Sequence, residues 1–144
     1  MISIAATQDA LIADVKANIN GLKTVDVMEG EFSAKTLQEM ILLAPFVLGS
    51  YRMPSINENE RDAAGGSGMK KHQFMLIVGA LSLLGKVKSQ RCCLEIIDDI
   101  IERYDGKPLT VGSGSVPFGL GSIEPVLGDK GLVAYAVSLV TNDE

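Results

Sequence analysis

Apolar positions recur at two different spacings along this chain, and together they outline its elements. Leu11, Ile12, Val15 and Ile19 follow a helical spacing that Asn20 and Gly21 close, with Thr7 as the expected cap. A short extended segment is expected from Thr24 to Met28. Ser33 is expected to cap a brief helix running through Lys35 and Leu37 to Met40. Pro45 favours a new start, and Phe46, Val47, Leu48 and Tyr51 predict a strand that exits at Arg52, Met53 and Pro54. The run from His72 to Leu81 is apolar enough for a strand covered on both faces, and a hairpin would pair it with the strand near residue 48.

The strongest periodicity lies in the last third. From roughly Lys88 to Tyr104, the residues Cys93, Ile96, Ile97, Ile100, Ile101 and Tyr104 form one broad apolar stripe, with Glu95, Asp98, Asp99 and Glu102 opposite. Arg91 with Glu95, and Asp99 with Arg103, stand at the spacing of weak helical ion pairs. The final run alternates: Val133, Tyr135, Val137 and Leu139 are the expected core face. Leu132, Ala134, Ala136, Ser138 and Val140 point the other way, where Ala134 and Ala136 would let a helix or a neighbouring subunit pack close, on a face available for a partner. Gly128 to Gly131 supplies the turn before this strand. The elements predict an α+β fold in which a mainly antiparallel or mixed sheet of about four to five strands packs against two to three helices.

Two stretches break the pattern. Residues 54 to 70 combine Glu58, Glu60, Arg61 and Asp62 with Gly65, Gly66 and Gly68, and predict a flexible loop, either an interaction arm or an inert insertion. Residues 110 to 122 are rich in glycine but lack GxGxxG and GK[ST], so they read as an extended, bent segment that the glycines allow to approach or cross another backbone and not as a phosphate cradle.

Length and composition then narrow the class. With 144 residues, 47% of them hydrophobic, the chain suits one domain with a real core. A net charge of -5 disfavours general attraction to nucleic acid. No apolar run is long enough for a membrane helix, and the amino end carries no signal pattern, so a cytoplasmic location is expected. Cys92 and Cys93 are adjacent on a helix and read as reduced core thiols.

Candidate chemistry is sparse. His72, the single histidine, reads as a partly exposed structural residue, and Ser113 and Ser115 have no base beside them. No zinc cluster or GxSxG elbow occurs, and Asp98 with Asp99 are neighbours that would need further ligands to hold magnesium. No catalytic residues, metal or cofactor are expected, and a non-enzymatic role follows.

Several segments carry a family likeness. Gly21-Leu22-Lys23-Thr24-Val25, Glu29-Gly30-Glu31-Phe32, Ala44-Pro45-Phe46-Val47-Leu48, the stretch Leu120 to Leu127, and Gly131 to Val137 together resemble the small Mu-like prophage tail proteins of the gene product 37 family. The resemblance spans most of the chain, although residues 55 to 69 depart from it. It implies a tail completion or terminator protein of a contractile-tailed phage or prophage. Such a subunit forms a homo-oligomeric ring, expected to be a hexamer, that caps the head-proximal end of the tail tube and stops its growth. Tail tube protein would be the first partner, with head-completion or neck protein, sheath and tape-measure protein as further ones, and no nucleic acid or membrane. The host bacterial cytoplasm during assembly, then the virion tail, would be its locations. Arg52, Glu58, Glu60, Arg61 and Asp62 are the candidate polar contacts, and Phe118 and Leu120 the candidate apolar anchors. A small regulatory or ligand-binding module acting as monomer or dimer is the alternative.

Overall fold

The computed structural model describes residues 3–27, 37–52, 70–81, 85–129 and 131–143. Three helices are described: α1 (Ile4–Asn18), α2 (Leu37–Leu43) and α3 (Lys86–Tyr104). The strands are β1 (Thr24–Val27), β2 (Phe46–Arg52), β3 (Lys70–Leu81), β4 (Lys107–Val111), β5 (Gly114–Asp129) and β6 (Leu132–Asp143). They form one sheet in the order β1-β2-β3-β6-β5-β4. All pairs are antiparallel except β1 with β2, which α2 separates in sequence and which run parallel. The molecule is therefore a single α+β domain, with six strands where four to five were expected.

The two sides of the sheet have separate cores. On one side α1 contributes Leu11, Val15 and Ile19, and α3 contributes Cys93, Ile96, Ile97, Ile100 and Tyr104. Together the two helices cover Val47, Phe74, Leu76, Val78, Val137 and Leu139, α1 lying nearer β2 and α3 nearer β3 and β6. The stripe read from the α3 sequence is thus the buried one, with Ile101 partly covered. On the other side Met40, with Ile41 and Leu43 of α2, covers Phe46, Leu48, Ile77, Leu132, Ala134 and Ala136. This face was expected to be available for a partner, but it is the chain's own α2 that packs there, one of the two occupants that the small side chains Ala134 and Ala136 allow. Phe46 sits opposite Gly79 in the β2/β3 register, and the outer atoms of its ring fill the space that a Cβ on Gly79 would need.

Other local expectations are redrawn. Ser3, not Thr7, caps α1, accepting from Ala6 N at 3.3 Å; Thr7 lies one turn inside the helix and is fully buried. Ser33 and Lys35 lie outside the described residues, as does the whole stretch 53–69. The β2/β3 hairpin has the expected pairing, with Leu48 opposite Ile77. The glycine-rich stretch is extended and does run beside another backbone, Gly119 and Leu120 pairing with β6, and its start also folds back as a hairpin. Val111 pairs with Gly114 around Gly112 and Ser113, and Gly112 has φ +60°, the conformation that a primed hairpin turn requires of its first residue. This hairpin adds β4 to the sheet and accounts for the larger strand count.

Candidate functional site

The contact residues expected from sequence divide sharply. Phe118 is buried within this chain's core, edge-on to Phe74 with ring centroids 5.8 Å apart, and Leu120 is half-buried against the same cluster. Arg52 ends β2. Glu58, Glu60, Arg61 and Asp62 lie outside the described residues. The structure therefore brings Phe118 and Leu120 together on β5 and gives them an internal packing role.

The densest polar constellation is one that sequence spacing did not reveal. Asp14 on α1 accepts from Arg103 Nε at 2.6 Å and Nη2 at 2.9 Å, from Tyr104 O–H at 2.6 Å, and from Asn18 Nδ2 at 3.1 Å. Arg103 was expected to pair with Asp99 four residues back; it turns instead to Asp14, which offers a forked acceptor. The guanidinium holds the Asp14 carboxyl below its ordinary range against the opposing effect of burial. Burial, followed by the adjacent carboxylate, raises Tyr104. The cluster borders a groove of about 710 Å³ between α1 and β4, lined by Ala10, Ala13 and Ala17 on one wall and by Pro108, Leu109 and Thr110 on the other. Within the cluster the Asp14 carboxylate is engaged by Arg103, Tyr104 and Asn18, which ties α1 to the end of α3.

The other buried polar groups divide: Thr7 Oγ1 and Thr141 Oγ1 have no hydrogen-bond partner, whereas His72 and Ser138 are engaged. His72 was expected to be partly exposed but is buried, because it points toward the α1/α3 side of β3. There its Nδ1 lies 2.7 Å from the Tyr51 hydroxyl. Tyr51 in turn packs on Phe74 with centroids 5.3 Å apart. Ser138 Oγ receives Gln73 Nε2 at 2.8 Å and lies 3.3 Å from Ser122 Oγ. Of the two thiols only Cys93 is in the core, donating to Val78 O; Cys92 is exposed, since successive helical side chains diverge by about 100°. Burial raises the Cys93 thiol to about 12.

Apolar exposure is concentrated in one corner. Among the described residues the exposed large hydrophobic side chains are Val87 at 79% and Leu94 at 41% on α3, with Ile123 at 37% and Val126 at 39% on β5. Val87, Gln90 and Leu94 share one flank of the helix, and Gln90 Nε2 donates to the Tyr135 hydroxyl on β6 at 2.9 Å. Tyr135 stands opposite Pro125 of β5, so this flank overlooks the outer strand. Strand β4 covers β5 only as far as Phe118, and Asp105 Oδ1 caps Leu120 N at 2.9 Å. Beyond that point no described strand pairs with the outer side of β5. Two register shifts, between Leu120 and Ile123 and between Pro125 and Leu127, bend this margin, and Pro125 lacks a donor.

Among the described residues no group of three or more His, Cys, Asp or Glu side chains is placed to hold a metal, and no helix is long and apolar enough to cross a membrane. No protein-family model and no curated protein sequence matches this chain.

Proposed function

We propose that this chain is a structural subunit of a contractile phage or prophage tail, a completion or terminator protein that closes into a ring on the head-proximal end of the tail tube. The observation that supports an assembly role is the gathering of Val87, Leu94, Ile123 and Val126 at the α3/β5 corner, beside a strand margin that no described strand pairs. Scattered apolar residues are ordinary on a protein surface, whereas a grouped set beside free backbone donors and acceptors suits contact with another chain. The family likeness in Gly21–Val25, Ala44–Leu48 and Leu120–Leu127 directs that contact toward a tail ring.

The mechanism is geometric. Each subunit contact is weak by itself, and a closed ring on a tube end of matching symmetry lets all of them act together. The ring then covers the surface on which the next layer of tube protein would add, and offers a new surface to the neck. Catalysis has no part in this scheme.

The test is the absolute mass of the purified protein across a concentration series, alone and with matching tail tubes. Conversion to a ring-sized species, alone or on addition of tubes, is the expected result. A monomer or dimer indifferent to tubes at every concentration would refute the proposal and favour a small regulatory or ligand-binding module.

A further inference from the structure

Helix α1 is held to the molecule far more loosely than α3. Of its fifteen residues only Thr7, Leu11 and Val15 are buried, whereas α3 buries Ser89, Cys93, Ile96, Ile97, Ile100 and Tyr104. One of the three, Thr7, has a hydroxyl without a hydrogen-bond partner, so the gain from burying it is offset by lost solvation. The groove of about 710 Å³ separates α1 from β4, and a second recess of about 390 Å³ lies between its carboxyl end at Asn18 and the α3 residues Asp99 and Glu102. Its one strong polar fastening is Asp14, bound by Arg103 and Tyr104. We infer that α1 is a strap that swings open as a unit while the sheet and α3 stay folded, with Asp14 as its catch and Asn20 and Gly21 as its hinge.

Elements that open locally are those with few buried apolar contacts, and α1 meets that description. At the hinge Gly21 has φ +82°, and nothing lies within 4 Å of where its Cβ would be, so the backbone has room to turn. The chain is fixed again just beyond, where Lys23 N donates to Pro45 O at 2.8 Å. Opening also changes the state of a sheet edge. Strand β4 is the last of the sheet, and α1 runs alongside it. Pro108 stands opposite Pro117, and because neither has an N–H the two form a non-bonded pair. The N–H and C=O of Thr110 therefore point away from β5. With α1 in place a helix guards this edge; with α1 lifted, the edge and the buried side chain of Leu109 meet solvent. The strap thus governs whether β4 presents free backbone groups, and it does so whether or not the chain forms a ring.

Native-state hydrogen exchange of the full chain, followed at urea concentrations below the unfolding transition, provides the test. The amides of residues 8–18 should exchange faster than those of β3 and β6, and with a shallower dependence on urea, because opening α1 exposes less surface than unfolding the domain. Two variants separate local from global opening. Asp14→Ala removes the catch and should speed exchange of the α1 amides roughly thirtyfold. Ile77→Val weakens the core on the α2 side of the sheet, which the α1-open form retains. It should speed the β3 and β6 amides by about three- to tenfold and leave the α1 amides unchanged. If the α1 amides instead share the urea slope of β3 and β6 and respond equally to Ile77→Val, α1 leaves only on global unfolding and the strap is overturned. Exchange of α1 that is indifferent to Asp14→Ala would overturn the catch, and the device with it.

Discussion

Replacing Asp14 with alanine should unfasten α1 from the end of α3, by an amount that can be worked out from its contacts. Tyr104 is almost wholly buried, and its hydroxyl donates to Asp14 Oδ2 at 2.6 Å. A buried hydroxyl left without its acceptor costs about 1 to 3 kcal/mol. The Arg103 pair adds less, about 0.2 to 1 kcal/mol, because the two side chains are 40% and 21% exposed. Alanine is the better helix former and returns up to about 0.7 kcal/mol. A net loss of about 2 kcal/mol follows, which in a domain of this size lowers the melting temperature by roughly 4 to 8 °C.

The same carboxylate gives the effect a pH signature. The native Asp14 carboxyl is held below its ordinary value, first by the hydrogen bonds from Arg103 and also by those from Tyr104 and Asn18. Its charged form therefore contributes stability that is fully present above the unfolded value of about 4 and is lost as pH falls through the lower native value. Urea unfolding of the parent and Asp14→Ala at pH 7 and at pH 3 should show a gap that is constant above about pH 5 and narrows in acid. A double-mutant cycle with Tyr104→Phe should give a coupling energy of about 1 kcal/mol. Equal stability of parent and variant at pH 7, or strict additivity with Tyr104→Phe, would refute the reasoning.

Three further outcomes follow from the packing. Gly79→Ala drives a methyl group against Cζ of the Phe46 ring, a rigid obstacle, and should cost about 1 to 3 kcal/mol in urea unfolding; a smaller residue at Phe46 should recover part of the loss. Phe118→Ala should destabilise the isolated subunit by about 3 to 5 kcal/mol, so that any assembly defect appears together with a lowered melting temperature. Native protein treated with a thiol reagent at pH 8 should gain one label, on Cys92, because Cys93 is buried and its thiol is raised to about 12; mass spectrometry before and after denaturation separates the two.

Much of this architecture is legible in the sequence wherever one element buries one face. The α3 stripe from Cys93 to Tyr104 and the Val133–Leu139 alternation each specify their side of the sheet, and both are found there. The second core is not legible in the same way. Helix α2 spans Leu37–Leu43, two turns at most, too few for its periodicity to say which sheet face it covers, so Ala134 and Ala136 suit a helix or a neighbouring subunit equally. The β4/β5 turn did leave a signal, a glycine at the first position of a two-residue loop at Gly112 and Ser113. The surrounding glycines obscured it. Nothing in local spacing announces Asp14 with Arg103 and Tyr104, because these residues meet only after α1 and α3 have docked on the same side of the sheet. The α3/β5 corner is hidden for a related reason: Ile123 and Val126 resemble ordinary strand residues until the sheet order shows that β4 ends before reaching them.

The most direct measurement is electron microscopy of tail tubes incubated with gold-tagged protein, scored for the position of every label. Label confined to one end of each tube, with no further growth from that end when tube protein is added, is the expected result. Label spread along the tube wall, or tubes left bare while growth continues at both ends, would contradict a terminating ring.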